Sequence, residues 1–415
     1  MSATLYALAP ADRSELGRRW FRTLAQNALA ISVAVWIFSG GFVLVEPSPY
    51  EVMFVITFAI ALVGGLKLHR GTLPLLYVIL AFTPFALISV FFMRYQEVSA
   101  GLLFNLVTIF LLVTSYFVAN FVAQAPARHM RLITGPYIAI ALIAAIVGTL
   151  AYVGLLPGEN VFLLFGRAKA FFKDPNVYGP FLIFPAMVVL QRALLGNGRE
   201  MAWNGLAYLI LFIGIFVSFS RGAWGHLAAS TALVFFMVFA LEATARQQVR
   251  LLLIAIGGVM ALALALAALL SIPDVAEFFL QRFSIQSYDT GETGRFGRTW
   301  YTLELAISNP WGIGPLEYSF MRISEQPHNT YANVMLTYGW GGAFAYFALV
   351  GWTFVVGARA IVLPCANRLL LIPVFATFVP MILLSAIIDT DHWRHWFLIT
   401  GLVWGLCAGQ VAQRR

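Results

Sequence analysis

The sequence has few charged residues and only two cysteines. Charged side chains make up 11% of the 415 residues, whereas a soluble domain carries about 25%, so the composition excludes a soluble protein. The two cysteines, Cys365 and Cys407, exclude a disulfide framework. The apolar runs are continuous and lack the alternation of strands of about ten residues, which excludes a membrane β-barrel.

What is present predicts an all-α polytopic membrane protein. Hydrophobic residues make up 61% of the chain, and apolar segments of roughly 17–25 residues predict about twelve transmembrane helices in a single membrane domain, residues 1–415. The predicted spans are 24–45, 51–66, 72–92, 99–122, 132–155, 177–195, 202–219, 222–241, 251–271, 328–356, 369–388 and 393–412. Charged residues lie at the ends of the spans and not near the bilayer midplane, which argues against an ion-coupled transporter.

The distribution of charge predicts the orientation. When the two sides are numbered alternately from the N-terminus, the first side holds 16 basic and four acidic residues, and the second holds ten basic and 14 acidic residues. This positive-inside pattern predicts that the first side, with both termini, is cytoplasmic. The net charge of +8 is spread over short loops, so we expect no nucleic-acid partner.

One long loop, residues 272–327, separates spans nine and ten on the outward side. It contains two amphipathic stretches, 275–283 and 299–307, with a polar, glycine-rich turn between them. Such stretches are typical of helices that lie on a membrane surface. We therefore expect this loop to fold back over the outer ends of the spans.

The segment 218–224, Ser-Phe-Ser-Arg-Gly-Ala-Trp, lies at the outward turn between spans seven and eight. Arg221 is thereby predicted to stand at a helix N-terminus, where unpaired N–H groups and the helix dipole favour an anion. Its guanidinium adds a fork of donors suited to phosphate. The alternative is an arginine that only snorkels to the membrane surface.

The segment 327–333, Pro-His-Asn-Thr-Tyr-Ala-Asn, opens span ten. His328 follows the one long outward loop, which favours a role in proton transfer; the alternative is a helix-capping or interfacial residue. Asn329 and Tyr331 are candidates for orienting it and for binding substrate. The glycine-rich stretch 338–342 that follows predicts a helix kink or a close helix contact.

Weaker outward motifs accompany these two. Gly-Arg-Phe-Gly-Arg at 294–298 contains Arg295 and Arg298 and is a candidate anion clamp, followed by Asn-Pro-Trp-Gly-Ile-Gly at 309–314. Phe-Lys-Asp-Pro-Asn-Val-Tyr-Gly at 172–179 leads into span six. Ordinary surface loops and a turn with a helix cap are the alternatives.

Two histidines and two aspartates close together in the sequence raise the question of a cation site. They are Asp389, Asp391, His392 and His395. We interpret this group as a solvated loop in preference to a cation site, and expect no metal and no cofactor.

The order of these motifs resembles the O-antigen ligase and polymerase superfamily of bacterial integral-membrane glycosyltransferases, over roughly residues 170–345. The resemblance implies a GT-C-like membrane enzyme that takes a glycan from undecaprenyl diphosphate at the periplasmic face of the inner membrane. It implies a metal-independent, inverting transfer to an acceptor sugar hydroxyl on lipid A-core or on a growing glycan. The two lipid-borne partners are thus the glycan donor and its acceptor, within the phospholipid bilayer.

The resemblance also implies residue roles. By position, Arg221 binds the donor diphosphate, Arg295 assists, and His328 is the candidate base. Arg298 is an alternative to Arg295 as the assisting arginine of the loop. Lys173 and Arg167 are weaker candidates for contact with phosphate or glycan.

Several functions remain open at this point. A ligase and a polymerase use the same donor site, so the motifs do not separate them; a ligase is slightly favoured, with a polymerase close behind. A lipid-linked oligosaccharide flippase is less favoured because two related halves and a charged central cavity are not evident. A non-catalytic assembly scaffold is the remaining alternative.

Overall fold

The structure is a computed structural model that describes residues 10–156, 159–283, 291, 294–323 and 325–413. Regular structure in these ranges is almost entirely helical. The helices are α1 (Pro10–Ser39), α2 (Pro49–Gly64), α3 (Leu73–Ser89), α4 (Val98–Gln124), α5 (Pro126–Tyr152), α6 (Glu159–Phe162), α7 (Pro175–Phe181), α8 (Ile183–Leu195), α9 (Gly198–Phe216), α10 (Arg221–Leu241), α11 (Ala245–Leu270), α12 (Pro273–Phe283), α13 (Arg295–Ser308), α14 (Thr330–Val362), α15 (Arg368–Leu384) and α16 (Arg394–Gln413). Two short strands, β1 (Leu163–Leu164) and β2 (Arg167–Ala168), form an antiparallel hairpin.

The apolar runs form helices because a helix satisfies its own backbone hydrogen bonds where no water is available. Seven helical segments of the described chain are long and apolar enough to cross a membrane: Arg70–Phe92, Val98–Gln124, Pro126–Tyr152, Pro175–Leu195, Arg221–Leu241, Ala245–Leu270 and Thr330–Val362. Three shorter apolar helices are Thr23–Ser39, Pro49–Gly64 and Arg368–Leu384. The prediction of a helical protein with several candidate membrane spans is confirmed, and the count of twelve remains a prediction.

The helices pack around α8, whose side chains are almost all buried and which contacts α9, α10 and α15. The closest pairing is that of α4 with α16. There a Cβ on Gly401 would lie 2.4 Å from the Ser115 carbonyl oxygen, and a Cβ on Gly405 would lie 2.7 Å from that of Ala119. Small residues therefore let the two backbones approach closely. By contrast, α11 is peripheral, and Leu251 is its one buried residue.

The long helix α14 is interrupted at Gly339, whose φ of 72° and ψ of −177° are accessible essentially only to glycine. The interruption leaves backbone N–H and carbonyl groups on both sides of Gly339 without partners inside the helix. Residues of the preceding loop form hydrogen bonds with these groups instead. The Trp340 N–H donates to the Pro310 carbonyl at 2.9 Å, and the Ile313 and Gly314 N–H groups donate to the carbonyls of residues 336 and 337 at 2.9 and 3.2 Å. The kink predicted at 338–342 is confirmed, and segment 309–314 is its backbone partner.

We predict that Gly339→Ala strongly destabilises the protein. A Cβ at this position would lie 2.4 Å from the Pro310 oxygen, and the backbone conformation alone costs a non-glycine residue about 1–3 kcal/mol. Gly351→Ala in the same helix is the matched control, because a Cβ there meets nothing within 4 Å. Thermal unfolding in detergent should show a clear loss for the first variant and none for the second; equal midpoints would contradict the account of the kink.

Candidate functional site

His328 lies directly before α14 and faces a carboxylate from a distant part of the chain. Its Nδ1 is 3.0 Å from Oδ2 of Asp389, and both side chains are partly exposed, at 30% and 27%. Because an ionised carboxylate only accepts, Nδ1 carries the proton in this contact. A carboxylate on Nδ1 orients the ring and stabilises the imidazolium that forms when Nε2 takes up a proton.

The first residue of α14 holds the loop that carries Asp389. The Thr330 N–H donates to the Ser385 carbonyl at 2.8 Å, and the Thr330 hydroxyl donates to the Ile388 carbonyl at 2.8 Å. The same hydroxyl oxygen accepts the Thr390 N–H at 2.7 Å. Thr330, Ser385 and Thr390 are fully or almost fully buried. This network therefore fixes Asp389 relative to His328 before any substrate binds.

The loop continues into a second polar network, one turn further along α14. Oδ2 of Asp391 lies 3.5 Å from Nδ2 of Asn333 and 3.5 Å from Nδ1 of His392. His392 Nε2 lies 3.0 Å from the Thr108 hydroxyl of α4, which in turn lies 3.0 Å from the hydroxyl of Tyr338. The two aspartates thus face different partners. No group of three or more His, Cys, Asp or Glu side chains within the described ranges is arranged to hold a metal ion.

Arg221 is the first residue of α10 and is partly exposed. The hydroxyl of Ser220 caps the helix by accepting the Ala223 N–H at 3.4 Å. Phe219 adopts a left-handed conformation with φ of 47°, which turns the chain sharply from α9 into α10. Arg221 therefore lies at the positive end of the dipole of α10, a position that favours an anion.

The β-hairpin and the segment before α7 pack against this turn. Arg167 donates from Nε to the Ser218 carbonyl at 2.9 Å and from Nη2 to the side-chain oxygen of Asn176 at 2.8 Å. Asn176 in turn donates its N–H to the carboxylate of Asp174, the cap of α7. Arg167 thus joins the hairpin, the Asp-Pro-Asn motif and the turn at 218–221. Lys173 forms an ion pair with Glu46 at 3.1 Å on the surface.

The ends of three helices bring Arg221 and His328 to the same end of the bundle. Gly222 follows Arg221, and a Cβ on it would lie 2.7 Å from Leu384, the last residue of α15. The next residue, Ser385, accepts the N–H of Thr330 at the start of α14. We call this end, formed by the starts of α10 and α14 and the end of α15, the site end.

Two helices of the 272–327 loop contact the site end. On α12, the Phe278 ring packs edge-on against Phe219 with centroids 4.8 Å apart, and the Phe279 ring lies 5.3 Å from Trp224. The first amphipathic stretch thus contacts the Arg221 motif, and its position on the outer membrane surface stays a prediction. The packing covers the apolar side of the 218–224 turn.

The second helix, α13, supports the segment that leads to His328. Arg298 is buried and forms an ion pair with Glu325, three residues before His328. Its backbone carbonyl accepts the hydroxyl of Thr302 at 2.7 Å. The helix begins at Arg295, but the side chain of Arg295 lies outside the described residues. The predicted role of Arg295 therefore stays a prediction.

The two other candidates at the start of α14 have local partners. Asn329 caps the helix, because its side-chain oxygen accepts the Ala332 N–H at 3.1 Å. The Tyr331 hydroxyl donates to the Ile382 carbonyl of α15 at 2.8 Å. Sequence reasoning missed Asp389 as the partner of His328. The signal that points to it is an acid at the outward end of span eleven, on the same predicted side as the histidine.

These features define a polytopic helical membrane protein with a polar site built from helix ends. Residues 206–347, which include Arg221 and His328, match the family model described as O-antigen ligase. The match supports the resemblance of the motifs to the O-antigen ligase superfamily over about a third of the chain. No curated protein sequence matches the chain.

The match supports activity of the O-antigen ligase or polymerase type in general, as carried out by membrane enzymes of the glycosyltransferase type. It implies partners of the lipid-linked glycan and lipid A-core types. The hairpin, the Asp-Pro-Asn motif and Asp389 lie outside the matched segment, so their place in the site comes from the structure.

We predict that Thr330→Val loosens the loop that carries Asp389. The substitution keeps the shape but removes the oxygen that bonds Ile388 and Thr390, and leaves the buried Thr390 N–H without its acceptor, a loss of about 1–3 kcal/mol. Hydrogen–deuterium exchange should increase in residues 385–391. Thr400→Val is the control, because that buried hydroxyl bonds only the carbonyl of Trp396 in its own helix; equal exchange in both variants would contradict the role of Thr330.

Proposed function

We propose that the protein is an O-antigen ligase that transfers a glycan from undecaprenyl diphosphate to a sugar hydroxyl of lipid A-core at the periplasmic membrane face. The observation that carries the proposal is the His328–Asp389 pair, which lies at the same end of the bundle as Arg221. One group is suited to remove a proton, and the other is suited to receive a departing diphosphate. Both are needed for transfer from an activated glycosyl diphosphate.

In this proposal the start of α10 binds the leaving group. The diphosphate already activates the sugar, so the enzyme has to stabilise the negative charge that develops as the bond breaks. The Arg221 guanidinium supplies bidentate donors, and the α10 N-terminus supplies N–H groups and a favourable dipole. Arg295, at the start of α13, is proposed as a second cation for the same charge. No metal ion is required in this scheme.

His328 is proposed as the base that activates the acceptor. The acceptor oxygen attacks the anomeric carbon and forms the new glycosidic bond, while its proton passes to the imidazole Nε2. The bond from the anomeric carbon to the diphosphate oxygen breaks, and undecaprenyl diphosphate leaves with the electron pair. Asp389 stabilises the imidazolium through Nδ1. A single displacement of this kind inverts the configuration at the anomeric carbon.

The remaining candidates are proposed to shape the site around these groups. Arg167 holds the wall beside Arg221, and Arg298 holds the segment that precedes His328, as their contacts indicate. Asn329 and Tyr331 fix the start of α14 against α15. Lys173 lies at the periphery, where a surface ion pair contributes at most about 1 kcal/mol.

We predict that His328→Ala abolishes glycan transfer, while the lipid-linked glycan donor is still made and accumulates. A deletion strain is complemented with wild type or with His328→Ala, and surface polysaccharide and lipid-linked intermediates are separated on gels. For a ligase, the variant leaves long glycan on undecaprenyl diphosphate and a bare core. Single repeat units on the core indicate a polymerase instead, and full restoration by the variant would rule out His328 as the base.

We predict that Asp389→Asn lowers the turnover rate at least about tenfold, since the charge that stabilises the imidazolium is lost while the side-chain shape is kept. The measurement is glycan transfer by purified enzyme in detergent, with size-exclusion chromatography to verify folding. The KM for the donor should stay near that of wild type because Arg221 is unaffected. A turnover rate within about twofold of wild type would remove Asp389 from the mechanism.

A further inference from the structure

Ion pairs divide the cations on the predicted outward side into two groups. Three of the outward cations with described side chains form ion pairs with carboxylates. These pairs are Lys173 with Glu46, Arg298 with Glu325, and Arg394 with Glu51. Within the described part of the chain, no carboxylate forms an ion pair with the ammonium group of Lys169.

Lys169 belongs to the hairpin that packs against the Arg221 turn. It directly follows β2, where the Ala168 N–H donates to the Val217 carbonyl at 3.0 Å, four residues before Arg221. Ala168 is fully buried, and its Cβ lies 3.5 Å from a Cβ built on Gly148 of α5. The side chains of Arg167 and Lys169 are partly exposed, whereas those of Ala168 and Ala170 are buried, so the two cations lie on the exposed face of this segment. Arg167 reaches the 218 turn from this face.

The surroundings of Lys169 leave its charge uncompensated. Burial lowers the pKa of the ammonium group from its ordinary value, and no carboxylate offsets this loss of hydration. An ammonium group in this state gains more from a bound anion than a fully hydrated one does. A diphosphate bound at the start of α10 offers several anionic oxygens, more than one arginine can engage.

We propose that Lys169 is an additional contact for the diphosphate of a lipid-linked substrate, and that it forms a two-cation site with Arg221. This inference rests on the proposed function for the identity of the substrate. Lys169 is expected to act on binding of the diphosphate and not on proton transfer. It adds a donor from the hairpin, a part of the chain that lies before the family match.

The side chain can be changed without dismantling the hairpin. The backbone N–H groups of Lys169 and Ala170 both donate to the Phe162 carbonyl, at 2.9 and 3.1 Å, and these bonds do not depend on the side chain. The neighbouring Ala168 and Ala170 provide the buried contacts. Lys169→Gln therefore removes the charge and preserves the fold.

The experiment measures equilibrium binding to the purified full-length protein in detergent. The probes are farnesyl diphosphate, which carries a prenyl chain, and inorganic pyrophosphate, which tests the headgroup alone. Lys169→Gln should raise the Kd for farnesyl diphosphate about five- to tenfold, and Lys169→Arg should restore it to within about twofold. A proportional loss for pyrophosphate assigns the contact to the headgroup; a wild-type Kd for both probes in Lys169→Gln overturns the proposal.

Lys67→Gln is the matched control, because this lysine is exposed and lies on the predicted cytoplasmic side. It should leave both Kd values unchanged, and an equal loss in this variant would reduce the effect of Lys169→Gln to general charge. Absence of binding by wild type also overturns the proposal. The outcome is separable from that of the proposed function: retained transfer by His328→Ala refutes the base while the binding result for Lys169 stands.

Discussion

The site depends on a backbone constraint in α14. A helix apolar enough to cross a membrane must satisfy its own hydrogen-bonding groups, and an interruption is tolerated only where protein replaces the lost partners. Segment 310–314 does so at Gly339, by accepting from Trp340 and donating to two released carbonyls. The first turns of α14 are thereby angled relative to the rest of the helix. Thr330 and Asn333 lie in these turns, and His328 lies just before them.

The chemistry of the site follows from how helix ends are distributed at the site end. The positive end of α10 and Arg221 favour an anion, and the end of α15 leads into the loop that presents Asp389 to the imidazole of His328. The cation at the start of α10 and the carboxylate that faces His328 thus come from separate elements of the chain. Thr330 and Ser385 connect the two halves through a buried network.

Local pattern predicted much of this arrangement. The 218–224 and 327–333 motifs are at helix starts, as their capping residues Ser220 and Asn329 indicate, and the glycines at 338–342 predicted the kink. For other motifs the structure shows a structural role in place of the predicted binding role. Arg298, a candidate anion clamp, pairs with Glu325, and the 309–314 motif serves the backbone of α14. The histidine–aspartate group, interpreted as a solvated loop, has Asp391 and His395 buried, because the loop packs between the helices, and its aspartates have separate partners.

The sequence by itself determined the helical membrane class, the starts of the principal helices and the resemblance to the superfamily. Hydropathy, charge and capping act over a few residues, so they can be read along the chain. Only the tertiary structure decided which distant groups meet: Asp389 with His328 across 61 positions, and Arg167 with Ser218 across 51. Such contacts depend on the packing and rotation of whole helices, and every residue along those helices contributes to that geometry.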